Sequence, residues 1–162
     1  MDRMIGIDFG RKRTGLAVSD PLGIFASPID TIDSAKLIDY LKNYAQKETI
    51  SVFVVGYPVN TDGSPAGATA DVDAFLKRLE KAFPGVPVAL EDERFTSVLA
   101  HQAMVDGGMK ASMRRDKKSV DRISAAIILQ GYMDRQRGTS SGIDPESVPA
   151  SLSRDRSRTK RK

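Results

Sequence analysis

Gly6-Ile7-Asp8-Phe9-Gly10-Arg11-Lys12-Arg13-Thr14-Gly15-Leu16-Ala17-Val18-Ser19-Asp20 sets two apolar segments on either side of a short basic turn. Residues 4–9 read as a strand, Gly10–Arg13 as a tight basic turn and Gly15–Val18 as a second strand, which together signal a hairpin. Asp8 interrupts the first strand and alternates with Gly6, so it shares a face with a residue that has no side chain. An acid inside an apolar strand is disfavoured. It either makes an Asx-type turn contact or faces a cation, because an isolated ionised carboxylate is very costly to desolvate.

Outward from the hairpin, Ile24–Ile29 resembles a short third strand, and Pro28 ends it or marks it as an edge. Asp33/Ser34 can cap a helix in which Leu37, Ile38, Leu41 and Tyr44 recur at helical spacing. Ser51–Val55 is a continuous apolar run, as expected of a strand covered on both faces. Pro58, Asn60, Asp62-Gly63 and Pro65 mark a loop over residues 56–67, a candidate lining for a substrate groove. Val72, Phe75, Leu76 and Leu79 form one face of a second helix that Pro84-Gly85 stops, and Val86–Leu90 reads as another strand. Thr96 caps a helix from about Ser97 to Asp106, ended by Gly107-Gly108. Lys110–Lys118 reads as a basic loop, and a final helix runs from about Val120 to Asp134. Strands first, then alternating helix and strand, give an α/β fold with a mixed sheet.

The 162 residues suffice for one domain with a real core. There is no Cys, which excludes disulfides and thiolate metal sites, and one His, too few for a typical zinc site. That one, His101, is assigned no chemistry. Neither a signal peptide nor a membrane-length apolar run appears, so a cytoplasmic protein without a membrane partner is expected. The net charge of +4 comes from the end of the chain, where residues 135–162 carry eight Lys/Arg against three acids. This Ser-, Gly- and Pro-rich end has the composition of a disordered basic arm, either touching nucleic acid or simply solubilising.

Two further acidic positions adjoin apolar segments. Glu91-Asp92-Glu93 closes the strand at 86–90, with residues 91 and 93 on one face and 92 on the other, so parity alone does not choose among them. Asp121 opens the final helix and crowns a stripe with Ala125, Ile128 and Tyr132, while Ser124, Ala125 and Ala126 allow a close approach to the sheet. Singly, Asp121 could serve the helix dipole and the strand-end acids could be solvated. Jointly, acids from separate elements converging at one sheet edge suit divalent cations of the Mg2+ or Mn2+ type and chemistry on phosphate esters.

Gly6–Asp20, Val55-Gly56-Tyr57-Pro58, Asp62-Gly63, Asp92-Glu93-Arg94-Phe95-Thr96-Ser97 and Asp121–Gln130 together resemble the YqgF (RuvX-like) family, in order and with natural spacing over residues 4–134. The resemblance implies an RNase H-like fold, a mixed five-stranded sheet flanked by helices. It makes residues 1–136 the nuclease domain and leaves 137–162 as the tail. It implies a nuclease maturing the 5′ end of the precursor of 16S ribosomal RNA during ribosome biogenesis; an older label for the family is Holliday junction resolvase. Asp8, Glu93 and Asp121 occupy the family's acidic catalytic and metal-holding positions, with Asp92 as the fallback for Glu93. Tyr57 stands where Leu is usual, and Phe95 and Ser97 where Leu and Thr are usual.

Arg11, Lys12 and Arg13 follow directly on the Asp8 strand, so their charges are expected over the site, where phosphate contacts supply affinity without reading sequence. Arg94 either pairs with a neighbouring acid or joins the nucleic-acid contacts. Lys110, Arg114, Arg115, Lys117 and Lys118 form a second candidate clamp ahead of Asp121. Tyr40, Tyr44, Phe53 and Phe75 suit core packing better than base stacking. The expected partner is structured RNA, the small-subunit precursor, bound by a monomer or homodimer. Branched DNA is the alternative substrate, since both are phosphodiesters and the choice rests on the 2′-hydroxyl and groove shape. A non-catalytic RNA-binding assembly factor is the non-enzymatic alternative. An actin-like ATPase reading of Asp8–Gly15 needs two such domains, and 162 residues accommodate one.

Overall fold

The computed structural model describes residues 2–58, 69–92, 100, 102, 103, 105–108 and 116–137. The opening hairpin forms as its alternation requires: β1 (Asp2–Phe9) pairs antiparallel with β2 (Arg13–Ser19), and Asp8 lies opposite Gly15. β3 (Ala26–Asp33) pairs antiparallel with the far side of β2. A 3-10 turn (Ser34–Lys36) leads into α1 (Leu37–Lys47), then β4 (Thr49–Tyr57), α2 (Thr69–Ala82), β5 (Val88–Asp92) and finally α3 (Lys117–Gln136). β1–β4 and β4–β5 are parallel, so the five strands run β3-β2-β1-β4-β5 in a mixed sheet.

The two sheet faces carry different side chains. Ile5, Ile7, Leu16, Phe53, Val55 and Tyr57 meet Leu37 and Leu41 of α1 and Val72, Phe75 and Leu79 of α2. Phe53 and Phe75 are core residues, and Tyr40 and Tyr44 pack against the same cluster, as expected. The opposite face is built from small residues and receives α3, with Ala17, Val54 and Ala89 against Ala125, Ile128, Leu129 and Met133. There the approach is close enough to require glycine. A Cβ on Gly6 would sit 2.6 Å from the Ala125 carbonyl oxygen, and one on Gly15 only 2.0 Å from that of Asp121.

Several boundaries differ from the sequence reading. β3 continues past Pro28 to Asp33: it is an edge strand, where a residue without an N–H is tolerated, and the register shift between Leu16 and Ala17 skips the next residue, Ile29. Asp33 therefore ends a strand, and its side chain makes no cap hydrogen bond. β5 starts at Val88, since the Val86 amide is spent on a turn to the Phe83 carbonyl. α3 starts at Lys117 rather than Val120: Asp116 caps it, accepting from the Lys118 amide at 3.2 Å. Lys117 and Lys118 are thus helical, not loop. Gly107 and Gly108 do close a helical segment, with Gly107 N–H donating to the Ala103 carbonyl and Gly108 at φ +73°.

Candidate active site

Asp8 is half-buried near the end of β1 and shares the α3 face with Gly6. Its neighbour Phe9 points the other way and stacks on Phe75 of α2, ring centroids 4.5 Å apart. Gly15, directly opposite Asp8, touches the Asp121 backbone. One missing Cβ thus brings the β1 acid and the α3 acid to the same end of the same face. Asp121 lies more than a full turn inside α3, and the first turn carries no acid. Its placement is therefore not that of a dipole-serving residue. The side chain instead accepts from Arg13 Nε at 3.3 Å through Oδ2.

The turn that carries Arg13 is pinned from below. Ser34 Oγ donates to the Gly10 carbonyl at 2.5 Å, and Ser34 N–H to the Lys12 carbonyl at 2.9 Å. With its one proton so used, the Ser34 hydroxyl accepts from Thr14 Oγ1 at 2.8 Å, in a buried contact. A Cβ on Gly10 would fall 2.4 Å from the Arg13 carbonyl oxygen, so the turn also needs that glycine. Sequence reasoning missed this network; no local pattern links Ser34 to Gly10.

The three basic residues do different things. Arg13 is at the acids. Arg11 is tied to Asp71 of α2 at 3.0–3.1 Å, on the other side of the sheet edge. Lys12 is exposed. Lys117 and Lys118 are exposed in the first turn of α3, four and three residues before Asp121, which puts them on its side of the helix. Glu93, Arg94, Lys110, Arg114, Arg115 and His101, together with most of the 56–67 loop, lie outside the described residues.

Register separates the remaining acids. Glu91 pairs with Gly56 on the α3 face, buried and ion-paired with Arg135, which makes it a structural acid. Asp92 pairs with Tyr57, a residue of the α1/α2 cluster. Asp92, the expected fallback for Glu93, therefore falls on the opposite face from Asp8 and Asp121. Tyr57 donates from its hydroxyl to Asp73 of α2 at 3.0 Å; burial, then this bond, raises its pKa above 10.0. A Leu, the residue that the resemblance leads one to expect here, has no hydroxyl to make that contact.

The donor set suits a hard cation. It consists of carboxylate oxygens, with no cysteine thiolate in the chain, and a permanent positive charge already stands against Asp121. Among the described residues, no three carboxylate or imidazole groups gather. Asp8 and Asp121 are the two members of the expected trio that lie among the described residues; Glu93, the expected third, lies outside them.

A relative from Parabacteroides distasonis is 44% identical over 137 residues, covering 85% of this chain and 98% of its own. One from Azobacteroides pseudotrichonymphae is 46% identical over 134 residues, covering 83% and 97%. Both carry the name "Putative pre-16S rRNA nuclease". Among solved structures, Thermus thermophilus RuvC in complex with a Holliday junction matches with a TM-score of 0.55 at 19% identity, covering 86% of this chain and 98% of that one. The fowlpox virus resolvase with its junction DNA also matches with a TM-score of 0.55, at 14% identity, covering 83% and 98%. These likenesses carry the fold, a RuvC- and RNase H-like mixed sheet flanked by helices. The model of the RuvX family, described as Holliday junction resolvase, matches residues 2–135, and the chain belongs to that family.

Proposed function

We propose that this protein is a Mg2+- or Mn2+-dependent endonuclease that cleaves structured RNA, maturing the 5′ end of the 16S ribosomal RNA precursor. The observation that carries the reading is the delivery of Asp8 and Asp121 to one end of one sheet face by the glycine between them. The names of the relatives support the substrate. The resemblance of Asp92–Ser97 to the family's motif supports Glu93 as the third acid.

In this reading Asp8, Glu93 and Asp121 hold the cation, which when bound polarises the phosphate and activates water. The protein's own residues do the rest. The pinned turn presents Lys12 and Arg13, and the first turn of α3 presents Lys117 and Lys118, as a cationic rim that registers the phosphodiester backbone. Residues 1–136 form the nuclease domain, Arg94, Arg114 and Arg115 extend the rim, and the basic tail adds sequence-independent affinity. Among the described residues no helix is long and apolar enough to cross a membrane; work on the ribosomal RNA precursor would place the protein in the cytoplasm.

Purified protein should cleave a precursor leader RNA when Mg2+ or Mn2+ is present and stop on chelation. Asp8→Asn should lower the rate by at least about 100-fold, since even partners of metal ligands are worth 10–100-fold. A wild-type rate in that variant, or after chelation, would remove the metal mechanism. The family description favours one second reading, cleavage of a four-way DNA junction by the same acids. Faster turnover of the junction than of precursor RNA would make it the primary one.

A further inference from the structure

The contact between Arg13 and Asp121 has a meaning beyond phosphate binding. Arg13 projects onto the α3 face with Gly15, and its Nε lies 3.3 Å from Asp121 Oδ2, with both side chains about a third exposed at 35% and 27%. A guanidinium cannot give up its proton, so its charge is permanent. A half-buried carboxylate kept for a cation needs compensation when no cation is bound, and Arg13 supplies it. A divalent ion ligating the same carboxylate places like charges side by side. That repulsion favours release of the guanidinium from the carboxylate.

Only the side chain can leave. The Arg13 backbone is fixed by its register opposite Asp33 and by the turn pinned through Ser34 and Thr14. Its reach is therefore confined to the neighbourhood of the two acids, which is where a metal-bound phosphate would lie.

We propose that Arg13 is a metal surrogate and exchange residue: it neutralises Asp121 in the metal-free protein and is handed to the substrate phosphate when the ion binds. The proposal rests on the metal-dependent reading above. Arg13 is a positioning residue here, and it makes ion and RNA binding mutually reinforcing, because the ion releases the cation the phosphate needs.

Calorimetric titration of Mn2+ into the full chain without RNA tests this directly. Arg13→Gln should bind Mn2+ about two- to fivefold more tightly than the wild type, the equivalent of one partly exposed ion pair. Arg13→Lys, which keeps a charge without the Nε contact, should lie between. In anisotropy titrations of a short RNA duplex, Ca2+ should strengthen binding to the wild type, and Arg13→Gln should lose most of that gain. Equal or weaker Mn2+ affinity in Arg13→Gln overturns the exchange role while leaving the metal site intact. If Arg13→Gln fails to fold, unchanged Mn2+ affinity in Arg13→Lys overturns it instead. Absence of Mn2+ binding in the wild type overturns both this role and the metal-dependent reading.

Discussion

Gly15→Ala is the substitution that most directly challenges the site as described. The added methyl would lie 2.0 Å from the Asp121 carbonyl oxygen, 2.2 Å from its carbon and 2.7 Å from the Arg122 nitrogen. All three are backbone atoms, so no side chain can rotate away. Ordinary contact begins near 3.4 Å, which leaves the oxygen about 1.4 Å too close, and α3 must lift by something of that order. Overpacking of this kind costs typically 1–3 kcal/mol, and backbone contact puts this case at about 3. Relief of a glycine inside a strand returns roughly 0.5–1 kcal/mol, which does not reverse the sign. The net loss corresponds to roughly 4–10 °C in Tm for a chain of this size. Asp121 rides on the displaced helix while Asp8 stays with β1, and a misplacement near 1 Å lowers rate by about 100-fold. Differential scanning calorimetry and the leader-RNA cleavage assay measure the two effects. Gly85→Ala is the control, since nothing lies within 4 Å of its added methyl, and it should change stability by less than about 0.5 kcal/mol. A Gly15→Ala protein that melts and cleaves like its parent refutes the close approach, and with it the mechanism by which the two acids meet.

Arg135→Ala should destabilise the fold by about 3 kcal/mol in urea titrations, because it leaves buried Glu91 without its cation. Glu91→Gln should cost less than half as much, since Arg135 reaches water; equal losses would contradict this asymmetry. Asp20 accepts from the Ile24 and Phe25 amides at 2.6 and 2.8 Å, and the Phe25 bond is foremost in lowering its carboxyl below the usual 3.8. A lowered folded value means that its contribution is complete above about pH 3.8 and is lost as pH falls through that lower value. Asp20→Asn should therefore flatten the acid limb of stability against pH, and an unchanged limb would argue against the turn contact.

Much of this arrangement is legible in the residues themselves. Period-two alternation through Gly6 and Asp8 foretells both the strand and the face of its acid, and Ser124–Ala126 foretell a helix lying close on the sheet. Two readings failed because local chemistry has more than one use. Asp33 looks like a helix cap and is the last residue of an edge strand; Lys117 and Lys118 look like loop and begin a helix, because Asp116 supplies the cap. The faces taken by Glu91 and Asp92 are closed to sequence for a different reason. Parity sorts residues into two faces, but which face meets the final helix depends on contacts such as Glu91 with Arg135, 44 positions along the chain. The Ser34 clamp under the basic turn is hidden in the same way.

The acids that meet across Gly15 come from opposite ends of the folded region, one from its first strand and one from its last helix. The hairpin bearing Asp8 and Arg13 is a local structure that closes quickly, whereas the docking of α3 waits on a contact spanning more than a hundred residues. A growing polypeptide therefore lacks one of the proposed cation-holding acids until α3 has been made. Cleavage competence would then arrive together with a completed core, so that an immature chain emerging amid ribosomal RNA has no power to cut it.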